Sequence, residues 1–310
     1  MTVIAVSTRS GLVECEHHGH VVVVDSEGSI RFSVGEPELV TYPRSANKLL
    51  QAAALMQLGL ELPSRLLALA ASSHSGEAFH QEGARAILAL AGKGERDLDN
   101  TPSLPYDPVE ASEVLRGGGG PTRIAQNCSG KHAAMVVTCV HNGWPVDNYL
   151  DPDHPLQGAI TAFMEKEIGG SVDHIGVDGC GAPAHAFAML RLAEAYGRSR
   201  IAGSVTGAIA KAMLAHPEIV GGTRRDVTLL MHSLPGVLIK DGADGVMAAA
   251  LPDGTGIALK VSDGAAQPRV AVLLGVLEML GLDVDRARMA VPLPIYGHGV
   301  PVGEIRSTLR

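Results

Sequence analysis

GVLIKDGADGVMAAALPDGTGIALKVSDG, residues 236–264, decides the fold class. It holds three short apolar runs, each closed by glycine or Asp-Gly. That length and punctuation predict three consecutive antiparallel strands joined by hairpins. Lys240 ends the first run, followed by Asp241, Gly242 and Ala243. The next stretch, AQPRVAVLLGVLEMLG (266–281), has apolar residues at helical spacing and predicts a closing helix. Near the other end, HVVVVDSEGSIRFSVG (20–35) reads as a hairpin turned at Asp25-Ser26-Glu27-Gly28.

Between these β-rich ends the chain reads as helical. Pro43 cannot sit inside a helix, whereas SANKLLQAAALMQLG (45–59) is rich in helix formers and closes at Gly59. Ser45 therefore falls at a helix start. RLLALAASSHSGEAFHQEGARAILALAG (65–92) holds two helical stretches separated by the polar residues 72–77. Gln157 to Ile168 and Ala182 to Tyr196 are further helix candidates, and the glycines at 117–120 form a linker without phosphate-loop spacing. No repeat is evident. The expected class is α+β: one domain over residues 1–310, an antiparallel sheet flanked by helices, with an α-rich lobe at roughly 60–200.

Composition narrows the function. Aromatic residues are 3% of the chain and the formal net charge is −8. Neither a basic face for phosphates nor a stacking platform for bases is available, so no nucleic-acid partner is expected. No apolar run is long enough to span a bilayer and no secretory signal is visible, so no membrane partner is expected and the cytoplasm is the expected compartment. The four cysteines, Cys15, Cys128, Cys139 and Cys180, are too few for a disulfide scaffold and are expected as free thiols.

Four constellations carry chemistry. Ser45-x-x-Lys48 puts a hydroxyl and an amine on one helix face, where a neutral lysine can take the serine proton. With 19 Ser and 7 Lys in 310 residues, chance supplies about 0.4 such pairs, so the spacing alone decides nothing. Ser-x-x-Lys on a helix start together with Lys-Thr-Gly on a late strand marks serine β-lactamases and penicillin-binding proteins. Here Lys240-Asp241-Gly242 occupies the late strand. Ser73-His74-Ser75 offers a second hydroxyl for proton transfer or a turn cap, and His74 is assigned a structural hydrogen bond. Cys128, Cys180 and either Lys131 or His132 offer donors for a zinc ion; alternatively Cys128, spaced from Lys131 as Ser45 is from Lys48, is itself a nucleophile. Arg224, Arg225 and Asp226 are candidates for a helix-start ion pair or for holding a charged substrate.

Seven segments, in order, resemble the asparaginase II family of the rhizobial, thermolabile type: RSANK (44–48), ASSHSGE (71–77), NCSGKH (127–132), DPDHPLQG (151–158), DGCGAP (178–183), HPEIVGGTRRD (216–226) and KDGADG (240–245). The resemblance implies a fold like that of serine β-lactamases, DD-peptidases and serine-dependent glutaminases. It also implies L-asparaginase activity, one Ser–Lys pair in Ser45 and Lys48, and a second in Ser73 and Lys240. It makes Lys131 the third donor to a zinc ion with Cys128 and Cys180, where the metal aids substrate affinity. A homodimer is expected by the same analogy. The backbone of Ala243 is expected in an oxyanion hole, Arg44 or Arg225 on the substrate carboxylate, and Asp178 on its ammonium. Asp241 stands where a β-lactam-recognising enzyme has Thr or Ser, which argues against β-lactam turnover. The competing readings are a glutaminase or another small-amide serine hydrolase, and a non-catalytic amino-acid or zinc-binding module.

Overall fold

The computed structural model describes residues 2–309. From the N-terminus come strands β1 (Thr2–Arg9), β2 (Leu12–Val24), β3 (Ile30–Val34) and β4 (Val40–Thr41), then a 3-10 turn at Arg44–Asn47. Helices α1 (Lys48–Gln57), α2 (Ser64–Ala70), α3 (Ala78–Ala89), α4 (Pro108–Arg116), α5 (Ser129–His141) and α6 (Pro155–Ile168) follow. Strands β5 (His174–Val177) and β6 (Pro183–Ala188) precede α7 (Met189–Arg198), α8 (Val205–Ala215), α9 (Pro217–Val220) and α10 (Asp226–Ser233). The chain ends with β7 (Leu238–Asp241), β8 (Val246–Ala250), β9 (Gly256–Val261), α11 (Gln267–Met279), α12 (Asp285–Ala290), β10 (Pro294–Gly297) and β11 (Val300–Ser307). These elements form two compact units, one of residues 2–46, 187–200 and 229–309, the other of residues 47–186 and 201–228.

The first unit is built on an antiparallel sheet in the order β10-β11-β1-β2-β9-β8-β7, with β3 also paired to β2. The expected meander is present: Lys240 pairs with Ala248 across β7 and β8, and Met247 with Leu259 across β8 and β9. The expected N-terminal hairpin is β2 and β3, in register at Val23 and Phe32. Every residue of β7 and β8 is buried, so these strands are apolar without alternation. Helix α7 rests on this sheet only because glycine faces it: a Cβ on Gly256 would overlap the Ala193 carbonyl, and one on Gly197 would lie 2.6 Å from the Gly254 carbonyl oxygen.

Two sequence expectations are corrected. The chain does not close on a helix, because β10 and β11 follow α11 and β11 pairs with β1 at the opposite end of the sequence. Those strands carry Pro294 and Pro301 and bury only Ile305, so they lack the apolar period that announces a strand. The segment Ala182 to Tyr196 is not one helix. Its first half is β6, with Ala186 paired to His174 and Phe187 to Thr41, and the helix begins at Met189. Alanine-rich apolar runs read alike as buried strand or helix, and only partners found elsewhere in the chain separate them.

In the second unit the helices pack on one another. Helix α1 has its first eight residues buried, each apolar one contributing about 1.5–3 kcal/mol of transfer energy when large. It stops at Gly59, whose φ of +91° allows the N–H groups of Gly59 and Leu60 to reach the carbonyls of Met56 and Leu55. Helix α5 approaches α2 at Gly130, where a Cβ would lie 2.5 Å from the Leu69 carbonyl oxygen. The polar residues between α2 and α3 form an irregular buried turn, and that turn and the start of α5 carry the candidate chemistry.

Candidate active site

Lys48 is the first residue of α1 and is 1% exposed. Its Nζ donates to the Ser72 carbonyl at 2.6 Å, lies 3.2 Å from Ser73 Oγ and 3.0 Å from Cys128 Sγ. One amine therefore joins the turn after α2 to the residue that precedes α5. Ser45 sits three residues earlier in the 3-10 turn that runs straight into α1, and is partly exposed.

The turn Ala71–Glu77 is fixed from two sides. Ser73 N–H donates to the Val220 carbonyl, Ser75 Oγ to that of Gly221, and the Glu77 carboxylate accepts from Thr223 N–H and Oγ1, both at 2.8 Å. Arg225 Nη1 donates to the Ser73 carbonyl at 3.2 Å while its guanidinium lies 4.5 Å from the Tyr106 ring centroid. On the other side His74 N–H donates to the Asn127 carbonyl, and His74 Nε2 lies 2.9 Å from Ser129 Oγ. His74 Nδ1 accepts from Gly76 N–H, so the proton of the neutral ring is on Nε2, which donates to Ser129. Burial, reinforced by His80 stacked at 4.8 Å, holds His74 well below the ordinary histidine range and keeps it neutral.

Cys128 and Cys180 lie in one buried cluster with Ala182, against Leu150. Their titrations are coupled. The hydrogen bond with Cys180, and then burial, push the Cys128 thiol up to about 12, while the same bond lowers Cys180 to about 5. The two sulfurs thus share one proton between them. Lys131 Nζ lies 3.4 Å from Cys180 Sγ, and Asp178 Oδ2 lies 3.9 Å from the same sulfur. Burial works against the Lys131 ammonium, but Cys180, Cys128 and Asp178 outweigh it and raise its pKa.

Two sulfurs and an amine gathered in a buried place fit a thiophilic divalent ion such as zinc, whose charge would displace the proton from Lys131. Among the described residues no three His, Cys, Asp or Glu side chains gather to hold a metal. A three-donor site here therefore requires Lys131. His132 instead turns Nδ1 to Tyr149 Oη at 2.8 Å.

In the first unit the β7–β8 turn lies against the segment before the helix. A Cβ on Gly242 would overlap the Pro43 carbonyl, and Arg44, held at φ +52°, forms an ion pair with Asp244. Ala243, exposed, lies between those two contacts. Lys240 is fully buried, its Nζ 2.7 Å from Asp241 Oδ1, and Arg269 closes the turn by donating to the Gly242 and Val246 carbonyls at 2.5 and 3.3 Å.

The family model for L-asparaginase II matches residues 5–307. The chain belongs to the L-asparaginase II family. That membership supports an amidohydrolase acting on a small molecule. Among the described residues no helix is long and apolar enough to cross a membrane. Among solved structures, the chain is similar to a putative beta-lactamase from Bacteroides dorei (11% identity, 82% of this chain and 92% of that one, TM-score 0.47). It is also similar to a probable glutaminase, YbaS (16% identity, 86% and 87% covered, TM-score 0.46). No curated protein matches.

Of the residues expected from the sequence of this L-asparaginase II family member, the second unit brings Lys48, Ser73 and Cys128 together, and Lys131, Cys180 and Asp178 together. Ser45, Arg44, Ala243 and Lys240 belong to the first unit. The Lys48–Cys128 contact and the cation–π stack of Arg225 on Tyr106 were not legible, since 80 and 119 residues separate the partners. Only the polarity of residues 72–77 between two helices hinted at a buried functional turn.

Proposed function

We propose that the protein hydrolyses the side-chain amide of L-asparagine to aspartate and ammonia, with Ser45 as nucleophile and Lys48 as its base. The observation that carries this reading is the buried Lys48 amine, whose partners are a hydroxyl, a thiol and a carbonyl. It starts a helix three residues after Ser45. Ser45 Oγ attacks the amide carbon as Lys48 accepts its proton, and the N–H groups of Ser45 and Ala243 receive the oxyanion. Ser73, with Lys240, passes a proton to the departing ammonia. Water then attacks the acyl-serine, releasing aspartate and restoring the hydroxyl. Asp178 takes the substrate ammonium. Arg44 or Arg225 takes the carboxylate; Arg225 donates to the Ser73 carbonyl and pairs with Asp226, and Arg44 pairs with Asp244.

Cys128 is a poor nucleophile, since its thiol is pushed up to about 12. A zinc ion held by Cys128, Lys131 and Cys180 would supply positive charge that strengthens binding of an anionic or carbonyl-bearing substrate. Ammonia release from asparagine, glutamine and a chromogenic β-lactam, with and without added zinc, tests the substrate. Ser45→Ala should abolish turnover with an unchanged circular-dichroism spectrum. Full activity in that variant refutes the mechanism. Stabilisation of the wild type by asparagine without ammonia release would mark a binding module instead.

A further inference from the structure

Resting on the serine–lysine reading above, we propose that His74 is a positioning residue that holds the Ser73 turn in register with the Cys128–Lys131 start of α5 through its Nε2–H bond to Ser129 Oγ. The turn and the helix start must agree closely because Lys48 Nζ serves both, at 3.2 Å from Ser73 Oγ and 3.0 Å from Cys128 Sγ. A slip between them stretches one of the two contacts, first the one to Ser73 Oγ, which at 3.2 Å is already long for a hydrogen bond to oxygen. Ser73 N–H, Ser75 Oγ and the Glu77 carboxylate tie the turn to residues 220–223, and the Ser73 and Ser75 carbonyls accept from Arg225 and from Asp107 N–H; none of these bonds sets its position against α5. On the α5 side there are two bonds, His74 N–H to Asn127 and the imidazole to Ser129, and only the second joins side chains.

Both side chains of that bond are fully buried, so neither is satisfied by solvent if the other is lost. The Gly76 N–H fixes the tautomer that makes His74 the donor, and the His80 ring stacks on it and limits its rotation. Ser129 is the first residue of α5, directly after Cys128 and two before Lys131. One bond thereby aligns the proton-relay serine with two of the metal-donor candidates. Its loss moves kcat and metal affinity together and leaves substrate affinity at saturating metal little changed.

The test compares full-length wild type with His74→Gln, His74→Leu, Ser129→Ala and the His74→Leu/Ser129→Ala double variant. Measured for each are kcat and KM for asparagine at saturating zinc, the zinc Kd by competition with a chromogenic chelator, and the melting temperature. His74→Leu and Ser129→Ala should each lower kcat and weaken zinc about 10–100-fold, with KM within about threefold. Glutamine places its amide N–H where the imidazole Nε2–H lies, so His74→Gln should recover to within about fivefold. The double variant should be no worse than His74→Leu by more than about twofold.

Equal impairment of Gln and Leu, wild-type kcat and zinc Kd in Ser129→Ala, or a rise in KM alone would overturn the proposal. If His74→Leu fails to fold, Ser129→Ala and His74→Gln decide. A wild type that releases no ammonia from any amide refutes the serine–lysine reading, and the zinc arm still tests His74. A wild type that is active beside fully active His74 and Ser129 variants refutes the positioning role alone.

Discussion

His80 makes acid sensitivity a quantitative property of this fold. It is fully buried, and burial first of all lowers its pKa to about 4, against 6.5 for the free side chain. Its Nε2 donates to the Glu218 carbonyl, while Nδ1 has no partner, so the ring is neutral in the native state. Between pH 4 and 6.5 the unfolded chain binds a proton at this position and the native chain does not. Stability therefore rises with pH across the window and falls as pH drops, by about 1.4 kcal/mol per unit for one histidine. At pH 5 the loss from His80 is about 2 kcal/mol, a large share of the 5–15 kcal/mol typical of a folded protein. His185, lowered to about 4 by the same cause, doubles the slope. His80→Gln keeps an N–H donor for Glu218 and removes the titration. Urea unfolding of both proteins from pH 5 to 7.5 should show the variant within about 1 kcal/mol of wild type at pH 7.5. At pH 5 the variant should gain about 2 kcal/mol relative to wild type. A stability difference that stays constant across that range refutes the linkage.

Lys48→Met removes the donor shared by Ser72, Ser73 and Cys128 while keeping the volume. Turnover of asparagine should fall about 10³-fold, with a stability loss of about 1–3 kcal/mol from the orphaned Ser72 carbonyl; activity within tenfold of wild type would remove Lys48 from the mechanism. Gly222→Ala forces a side chain onto φ +130°, with a Cβ overlapping Ser75 Oγ and 2.6 Å from Glu77 Oε1. Thermal unfolding should register a loss of about 2–5 kcal/mol, and kcat should fall because both displaced groups anchor the Ser73 turn. An unchanged melting temperature would show that the turn yields freely.

Local signals carried the meander, the first hairpin and about half of the helices, because each is marked by its own glycines and spacing. Gly59 ends α1 and Asp25–Gly28 turns the first hairpin within a few residues of the elements they punctuate. Where the deciding partner is remote, the sequence was silent. Strand β11 is a strand because β1 lies beside it, and Pro183–Ala188 because β5 does. The candidate site divides in the same way. The Ser45–Lys48 spacing is visible as letters, but that Lys48 reaches across to Cys128, or that His74 faces Ser129, depends on how α1, α2 and α5 pack. Among the zinc-donor candidates, spacing does not tell Lys131 from His132, and that His132 Nδ1 faces Tyr149 follows only from the packing of α5.

Two buried lysines make this cluster costly for stability. Lys48 and Lys131 are each 1% exposed within one helical unit. Taking an amine out of water costs several kcal/mol, and apolar replacements of buried ionic groups are often neutral or stabilising. Elsewhere in the same unit, Arg224 meets Asp107 through two bonds of 2.9 and 2.7 Å with its side chain half in water, the arrangement that stability favours. Lys48 has instead a carbonyl, a hydroxyl and a thiol, and Lys131 a single sulfur within hydrogen-bond reach. Among the described residues neither amine has a carboxylate within hydrogen-bond distance. A scaffold selected for stability alone would place methionine or leucine at both positions. The expected outcome for Lys48→Met, a large loss of turnover against a modest loss of stability, follows from that imbalance.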